Sequence, residues 1–101
     1  MIIMNKIQYE LLPDGCGFCA KINGQNVGEI TFIKIGLDKL MIEHTSVESG
    51  YQRTPVVLNL VSHVVELARA QHRKVLNRCS TAQNIFIGHP EFDDVLLMNS
   101  H

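Results

Sequence analysis

The sequence lacks the features that mark membrane proteins and nucleic-acid-binding proteins. No apolar run approaches the ~20 residues that a helix needs to cross a bilayer, and Asn5 and Lys6 end the apolar start too early for a signal peptide. Acidic and basic residues are interspersed, and the net charge is −1. Because a basic surface is missing, we expect no nucleic acid among its partners. Because a membrane-spanning run and a signal-peptide core are missing, we expect a cytoplasmic protein with no membrane partner.

Cysteine is also scarce, and its number and spacing argue against disulfides and zinc. The three cysteines are Cys16, Cys19 and Cys79, an odd number without a secretory signal, so we expect at least one free thiol. None of the five histidines lies at a zinc-like spacing from a cysteine, and we predict no metal site. With 46% hydrophobic and 19% charged residues, the composition predicts one globular domain over residues 1–101.

The first half of the chain contains four strand-like runs that are separated by turn signals. Pro13-Asp14-Gly15 and Asn23-Gly24 are the strongest of these signals, and the second is typical of a two-residue hairpin. The runs predict strands over residues 6–12, 16–22, 25–35 and 40–47. Strands that are joined by such tight turns form an antiparallel meander.

The second half changes to a helical period. Thr54 is a good N-cap, and Pro55 suits the first helical position because proline has no N–H to leave unpaired. Apolar residues then recur at helical spacing and predict one buried face: Val57, Leu60, Val61, Val64, Val65 and Ala68.

A fifth strand and a short helix follow. The strand is predicted over residues 74–79, and Ser80 with Gln83 forms a capping box for a helix that runs to Gly88. Residues 95–98 could form a last short strand. The order predicts an α+β fold in which the long helix crosses from the fourth strand to a fifth strand parallel to it.

Three strings occur in an order and spacing that resemble one known family: Glu43-His44-Thr45-Ser46-Val47, then Val64-Val65-Glu66-Leu67-Ala68-Arg69 with Lys74-Val75, then Cys79-Ser80 with His89-Pro90-Glu91-Phe92. Together they resemble the small, truncated branch of the GNAT superfamily of N-acetyltransferases. The resemblance covers nearly the whole chain. It implies a GNAT-like domain that binds acetyl-CoA and transfers its acetyl group to an amine.

One segment departs from the family pattern. The family's phosphate loop is rich in glycine, and the matching residues here are Gln52-Arg53-Thr54-Pro55-Val56-Val57, where every glycine position is replaced. Helix N-termini bind phosphates through free N–H groups and the helix dipole, and glycine permits a close approach. Pro55 removes one donor, so we expect CoA binding to be weakened or lost, with the amides of Thr54, Val56 and Val57 and the Arg53 guanidinium remaining.

The resemblance also implies where the rest of the cofactor lies. The backbone of Ser46, Val47 and Glu48 would pair with the pantetheine arm as a neighbouring strand does. The substrate would enter beside the fourth and fifth strands.

Three residues are candidates for catalysis. Cys79 precedes a predicted helix, whose N-terminus lowers the pKa of a nearby thiol, and the resemblance places the matching cysteine beside the acetyl thioester. His44 or Glu43 could serve as the base that deprotonates the amine. For each of the three, an ordinary structural role is the alternative.

Two other functions compete with the acetyltransferase hypothesis. The replacement of the glycines in residues 52–57 favours an inactive GNAT-fold module that binds a partner protein or forms a homodimer. A redox role for the C-x-x-C pair Cys16 and Cys19 would need a helix N-terminus, but the pair leads into a predicted strand.

Overall fold

The computed structural model describes residues 7–51 and 55–97, which form one five-stranded sheet with two helices. The strands lie in the sheet in sequence order, and their bounds are β1 Gln8–Leu11, β2 Gly17–Ile22, β3 Gln25–Ile35, β4 Lys39–Val47 and β5 Lys74–Asn77. β1 to β4 are antiparallel neighbours, and β5 is parallel to β4. The predicted meander and parallel fifth strand are confirmed.

The turn between β2 and β3 has the geometry that its sequence predicts. Asn23 and Gly24 have φ angles of 52° and 80°, so both lie in the left-handed region. A two-residue hairpin of this type matches the right-handed twist of its strands. The hairpin therefore fixes the register in which Ile22 pairs with Gln25.

Helix α1, Val56–Ala70, covers the sheet with the apolar face that the sequence predicts, and the second helix, α2, spans Ser80–Gly88. The seven buried residues of α1 pack on the largest buried side chains of the strands, which include Ile30, Phe32, Leu40 and Ile42. α1 begins one residue later than expected, because Pro55 is its N-cap and accepts the first described helical hydrogen bond, from Asn59 N–H at 2.9 Å. Thr54 lies outside the described residues. Neither helix is long and apolar enough to cross a bilayer within this described part.

β4 contains a bulge at its centre. Thr31 pairs with His44 while Phe32 pairs with Ile42, so Glu43 is an extra residue without an opposite partner. The buried positions of the strand are therefore even-numbered up to Ile42, before the bulge, and the next buried residue, Thr45, is odd-numbered. Bulges bend a strand and increase its twist.

β4 and β5 separate beyond this bulge. Their pairing runs only from Lys39 to Ile42 on β4, and Arg78 N–H donates the last hydrogen bond to Ile42 O at 2.9 Å. The remainder of β4 pairs with β3 alone. The two parallel strands thus diverge and leave one edge of β4 open.

The capping box at the start of α2 was a wrong prediction. Cys79 is the N-cap, Ser80 is already helical, and no side chain caps the helix. The Gln83 side chain that a capping box requires instead accepts a hydrogen bond from Asn77 Nδ2 at 3.3 Å.

The tail forms a single bridge instead of a strand in the part that the structure describes. Leu96 pairs with Val75, and residue 98 lies outside the described residues. Arg69 contacts the turn that precedes this bridge. Its guanidinium donates to Asp94 at 2.6 Å and 3.0 Å and to Glu91 O at 2.8 Å, which holds the preceding turn against α1.

Candidate active site

The open edge of β4 presents backbone groups to the groove between the separated strands. Glu48 N–H donates to Val27 O at 2.9 Å, so this residue faces β3. Residues of an antiparallel strand alternate in direction, so the backbone groups of Ser46 also face β3. The N–H and C=O groups of Thr45 and Val47 point the other way, into the groove. Of the three residues predicted to pair with the pantetheine arm, the register leaves outward backbone groups on Val47 alone, and it adds those of Thr45.

A cavity of about 440 Å³ lies at the end of β3 and β4. Its lining consists of backbone and small or polar side chains on both strands: Asn26, Val27, Gly28, Ser46, Val47, Glu48 and Ser49. The three residues predicted to contact the pantetheine arm all line this cavity.

The first turn of α1 lies directly over this part of the sheet. A Cβ atom at Gly28 would lie 2.8 Å from Val56 Cγ1 and 3.4 Å from Leu60 Cδ1, so glycine allows the helix to approach the sheet. The N–H groups of an α-helix's first turn have no helical carbonyl partner. Gly28 therefore brings such donors close to the cavity.

The predicted phosphate loop is only partly described. Gln52, Arg53 and Thr54 lie outside the described residues. The side chains of Val56 and Val57 are 0% and 9% exposed and pack in the core, so only their backbone N–H groups could face a phosphate.

Cys79 lies where β5 ends and α2 begins, next to the point at which the strands separate. An Asn77 turn fixes its backbone: Cys79 N–H donates to Asn77 Oδ1 at 3.0 Å, and Asn77 Nδ2 donates to Cys79 O at 2.9 Å. The thiol is half-buried and lines a cavity of about 220 Å³ together with Arg78, Ser80 and Gln83.

Hydrogen-bond donors around this thiol stabilise its ionised form. Partial burial raises the pKa of Cys79, but donors from two elements outweigh burial and the net pKa lies below its ordinary value. The donors are the N–H groups of Ala82 and Thr81 at the α2 N-terminus, and the hydroxyl and N–H of Thr45 on β4. A thiol at a helix N-terminus is expected to behave in this way.

The Thr45 hydroxyl is buried without a hydrogen-bond partner among the described residues. Thr45 is 7% exposed, and its Oγ1 makes no hydrogen bond in the described part of the chain. A buried hydroxyl without a partner costs ~1–3 kcal/mol. A thiol sulfur is only a weak acceptor, so this hydroxyl gains a good partner when Cys79 ionises.

His44 and Glu43 do not join Cys79. Both side chains are exposed, and the alternation of the strand places His44 on the sheet face opposite to Thr45. Glu43 is the bulge residue. A base at either position would reach the thiol only across the open edge of β4.

The comparisons with known proteins agree with this geometry. The family model of the GCN5-related N-acetyl-transferases matches residues 17–95. The chain belongs to this family. A similar solved structure is the NMR solution structure of a GCN5-like protein from Staphylococcus aureus, with a TM-score of 0.72 and 27% identity over 97% of this chain and 95% of that chain.

Two crystal structures of more distant acetyltransferases share the fold. Ard1 from Thermoplasma volcanium gives a TM-score of 0.63 at 20% identity, over 78% of this chain and 55% of that chain. A ribosomal-protein-alanine N-acetyltransferase from Brucella melitensis biovar Abortus 2308 gives 0.63 at 16% identity, over 90% and 69%. No curated protein sequence matches the chain.

The C-x-x-C pair of this GNAT domain has no redox geometry. Cys16 precedes β2, and Cys19 is buried on that strand at 5% exposure. Both are free thiols, and neither lies at a helix N-terminus.

Sequence reasoning missed Thr45, although its neighbours on both sides were candidates. The family-like string that contains it was the one signal available, and strand alternation alone would place it with Glu43. The bulge changes that assignment, and only the register of β3 against β4 reveals it.

Thr45 supplies a first prediction for this GNAT site. Replacing it with valine, which has nearly the same shape, removes the buried hydroxyl and leaves its N–H in place. We expect the pH midpoint for alkylation of Cys79 to rise, while stability is unchanged or increases because an unpaired hydroxyl is removed. Thr45→Ser keeps the hydroxyl and should retain the low midpoint. An unchanged midpoint in Thr45→Val would show that the hydroxyl does not act on the thiol.

Proposed function

We propose that this GNAT domain transfers an acetyl group from acetyl-CoA to an amine, with Cys79 as the nucleophile that accepts the acetyl group first. One observation carries the proposal: a thiol with a lowered pKa lies where β4 and β5 separate, within reach of donors from Thr45 and α2. A low pKa increases the fraction of thiolate, which is the reactive form.

The residues present fit a CoA ligand at the β4 edge and at Cys79, and they fit it less well at the start of α1. The outward N–H and C=O of Val47 and the C=O of Thr45 are arranged to pair with an extended pantetheine arm, and the Thr45 N–H faces Cys79 at the end of the groove. The start of α1 offers the N–H groups of Val56 and Val57 and the positive end of the helix dipole to the phosphates. Pro55 offers no N–H, and this is the weak point of the fit.

The proposed reaction has two steps, and in each step one bond to the acetyl carbon forms and one breaks. When bound, acetyl-CoA supplies an activated acyl thioester. The Cys79 sulfur forms a bond to the acetyl carbon as the bond from that carbon to the CoA sulfur breaks, and CoA leaves as a thiolate. The amine nitrogen then bonds to the same carbon, and Cys79 leaves as a thiolate.

The amine must lose a proton before its attack. His44 and Glu43 are the candidate bases, and they would act from the opposite face of the sheet across the open β4 edge. The three free cysteines fit the reducing cytoplasm, which we propose as the compartment.

A thermal-denaturation titration with CoA tests binding. A ligand at one hundred times its dissociation constant stabilises the folded state by about 2.7 kcal/mol, which is a rise in Tm of roughly 10 °C or more for a domain of this size. Pantetheine lacks the nucleotide and its phosphates, so it reports on the β4 edge alone. We expect stabilisation by CoA and acetyl-CoA, and a smaller effect of pantetheine.

A second candidate function rests on the start of α1. Pro55 and the buried side chain of Val57 occupy positions that the family fills with small residues, which favours a GNAT-fold module that binds a partner protein and no CoA. If millimolar CoA causes no thermal shift, the result would support this module. Saturable stabilisation by CoA would exclude it.

A further inference from the structure

The three thiols of the chain differ sharply in their surroundings. Cys19 is buried on β2, and Cys16 lies just before that strand, away from any helix start. Cys79 lines a cavity of about 220 Å³ at the first turn of α2. The chain therefore contains one thiol at the start of a helix and two thiols away from any helix start, which serve as internal references.

A second observation marks the space around Cys79 as a ligand site. The Thr45 hydroxyl, on a residue that is 93% buried, makes no hydrogen bond in the described part of the chain and lies close enough to Cys79 to lower the pKa of its thiol. The Thr45 N–H also faces the groove. Both groups can donate to the Cys79 sulfur, so they favour the thiolate that attacks a disulfide.

We propose that Cys79 also forms a mixed disulfide with coenzyme A, by exchange with CoA disulfide, and that this linkage closes the site to acyl transfer until it is reduced. The proposal rests on the CoA groove of the proposed function, but it does not require acetyl transfer. The groove that delivers a thioester to Cys79 delivers a CoA sulfur to the same atom.

The exchange is balanced without a further oxidant. The Cys79 thiolate attacks one sulfur of CoA disulfide, a new sulfur–sulfur bond forms, and the bond between the two CoA sulfurs breaks. One CoA leaves as a thiolate and takes a proton from water. A reducing thiol reverses the reaction by the same steps.

The groove should make CoA disulfide a better reagent than other small disulfides. Binding of the pantetheine arm to the β4 edge makes the attack effectively intramolecular, which raises the local concentration of disulfide. Glutathione disulfide has no pantetheine arm and no nucleotide, so its reaction reports on the intrinsic reactivity of the thiol.

The test is mass spectrometry of the reduced protein after incubation with CoA disulfide or with glutathione disulfide. We expect one CoA per chain on the peptide that contains Cys79, formed at least ~10-fold faster than the glutathione adduct and removed by dithiothreitol. Cys16→Ser should react as the unmodified chain does. Cys79→Ser should form no such adduct, and Thr45→Val should react more slowly.

Separate titrations with reduced CoA distinguish failure of the inference from failure of the proposed function. Stabilisation by CoA without an adduct on Cys79 overturns the mixed disulfide and leaves the CoA site intact. Equal rates with both disulfides, or a CoA adduct that falls mainly on Cys16, overturn selective delivery by the groove. If CoA neither stabilises the protein nor forms an adduct, both the mixed disulfide and the CoA site are overturned.

Discussion

Cys79→Ala should abolish the acetyl adduct that acetyl-CoA leaves on the unmodified chain. The thiol that we propose as acyl acceptor is the one whose pKa is lowered by Thr45 and the α2 N-terminus. Peptide mapping after incubation with acetyl-CoA should find the acetyl mass on the peptide containing Cys79. The variant should lack that mass, and once an acceptor amine is known, its acetylation should fall by on the order of 100-fold or more.

The control for this variant is Cys16→Ala, which removes a thiol outside the groove and should keep the adduct. Cys79 is only half-buried, so its truncation should cost little stability, within about 1 kcal/mol. Unchanged binding and turnover in Cys79→Ala would show that the amine attacks the thioester directly. Cys79 would then be a structural residue.

The fold could be predicted because local signals and the global topology agree. Asn23-Gly24 predicts its own hairpin, and the apolar face of α1 predicts which side of the helix meets the sheet. Pro55 predicts the start of α1 to within one residue, and Gly88 predicts the end of α2. Where every level of the sequence points to one structure, prediction from the sequence succeeds.

The site could be predicted only in part, because its geometry depends on register. Cys79 precedes a predicted helix in the sequence, and this position together with the family resemblance made it a candidate. The partnership between Cys79 and Thr45 depends on the extra residue at Glu43, which reverses the faces of all later residues of β4. The sequence contains no clear signal for a bulge of this kind.

The capping box predicted at the start of α2 also depends on contacts that residue spacing does not show. Ser80 and Gln83 have the correct spacing, but the Asn77 side chain forms a turn with Cys79 and also engages Gln83. Asparagine forms such turns two residues on readily. A competing local hydrogen bond thus occupies the Gln83 side chain that the motif needs, and Cys79 is the N-cap.

Gly28→Ala should weaken both the fold and CoA binding. Its new Cβ would lie 2.8 Å from Val56 Cγ1, and Val56 is fully buried with a short, branched side chain that has little freedom to move. Overpacking of a core typically costs ~1–3 kcal/mol. To relieve the contact, the first turn of α1 must move away from β3 and the adjoining cavity.

Urea denaturation and a CoA titration of the same variant separate these two effects. Gly88→Ala is the matched control, because a Cβ there meets no atom within 4 Å, and it should change neither stability by more than ~1 kcal/mol nor CoA affinity. A loss of stability with full CoA affinity would show that the start of α1 does not contact the ligand, and that the β4 edge alone holds it. A joint loss would mean that the Gly28 contact, which completes the core, also positions the N–H groups that face the phosphates.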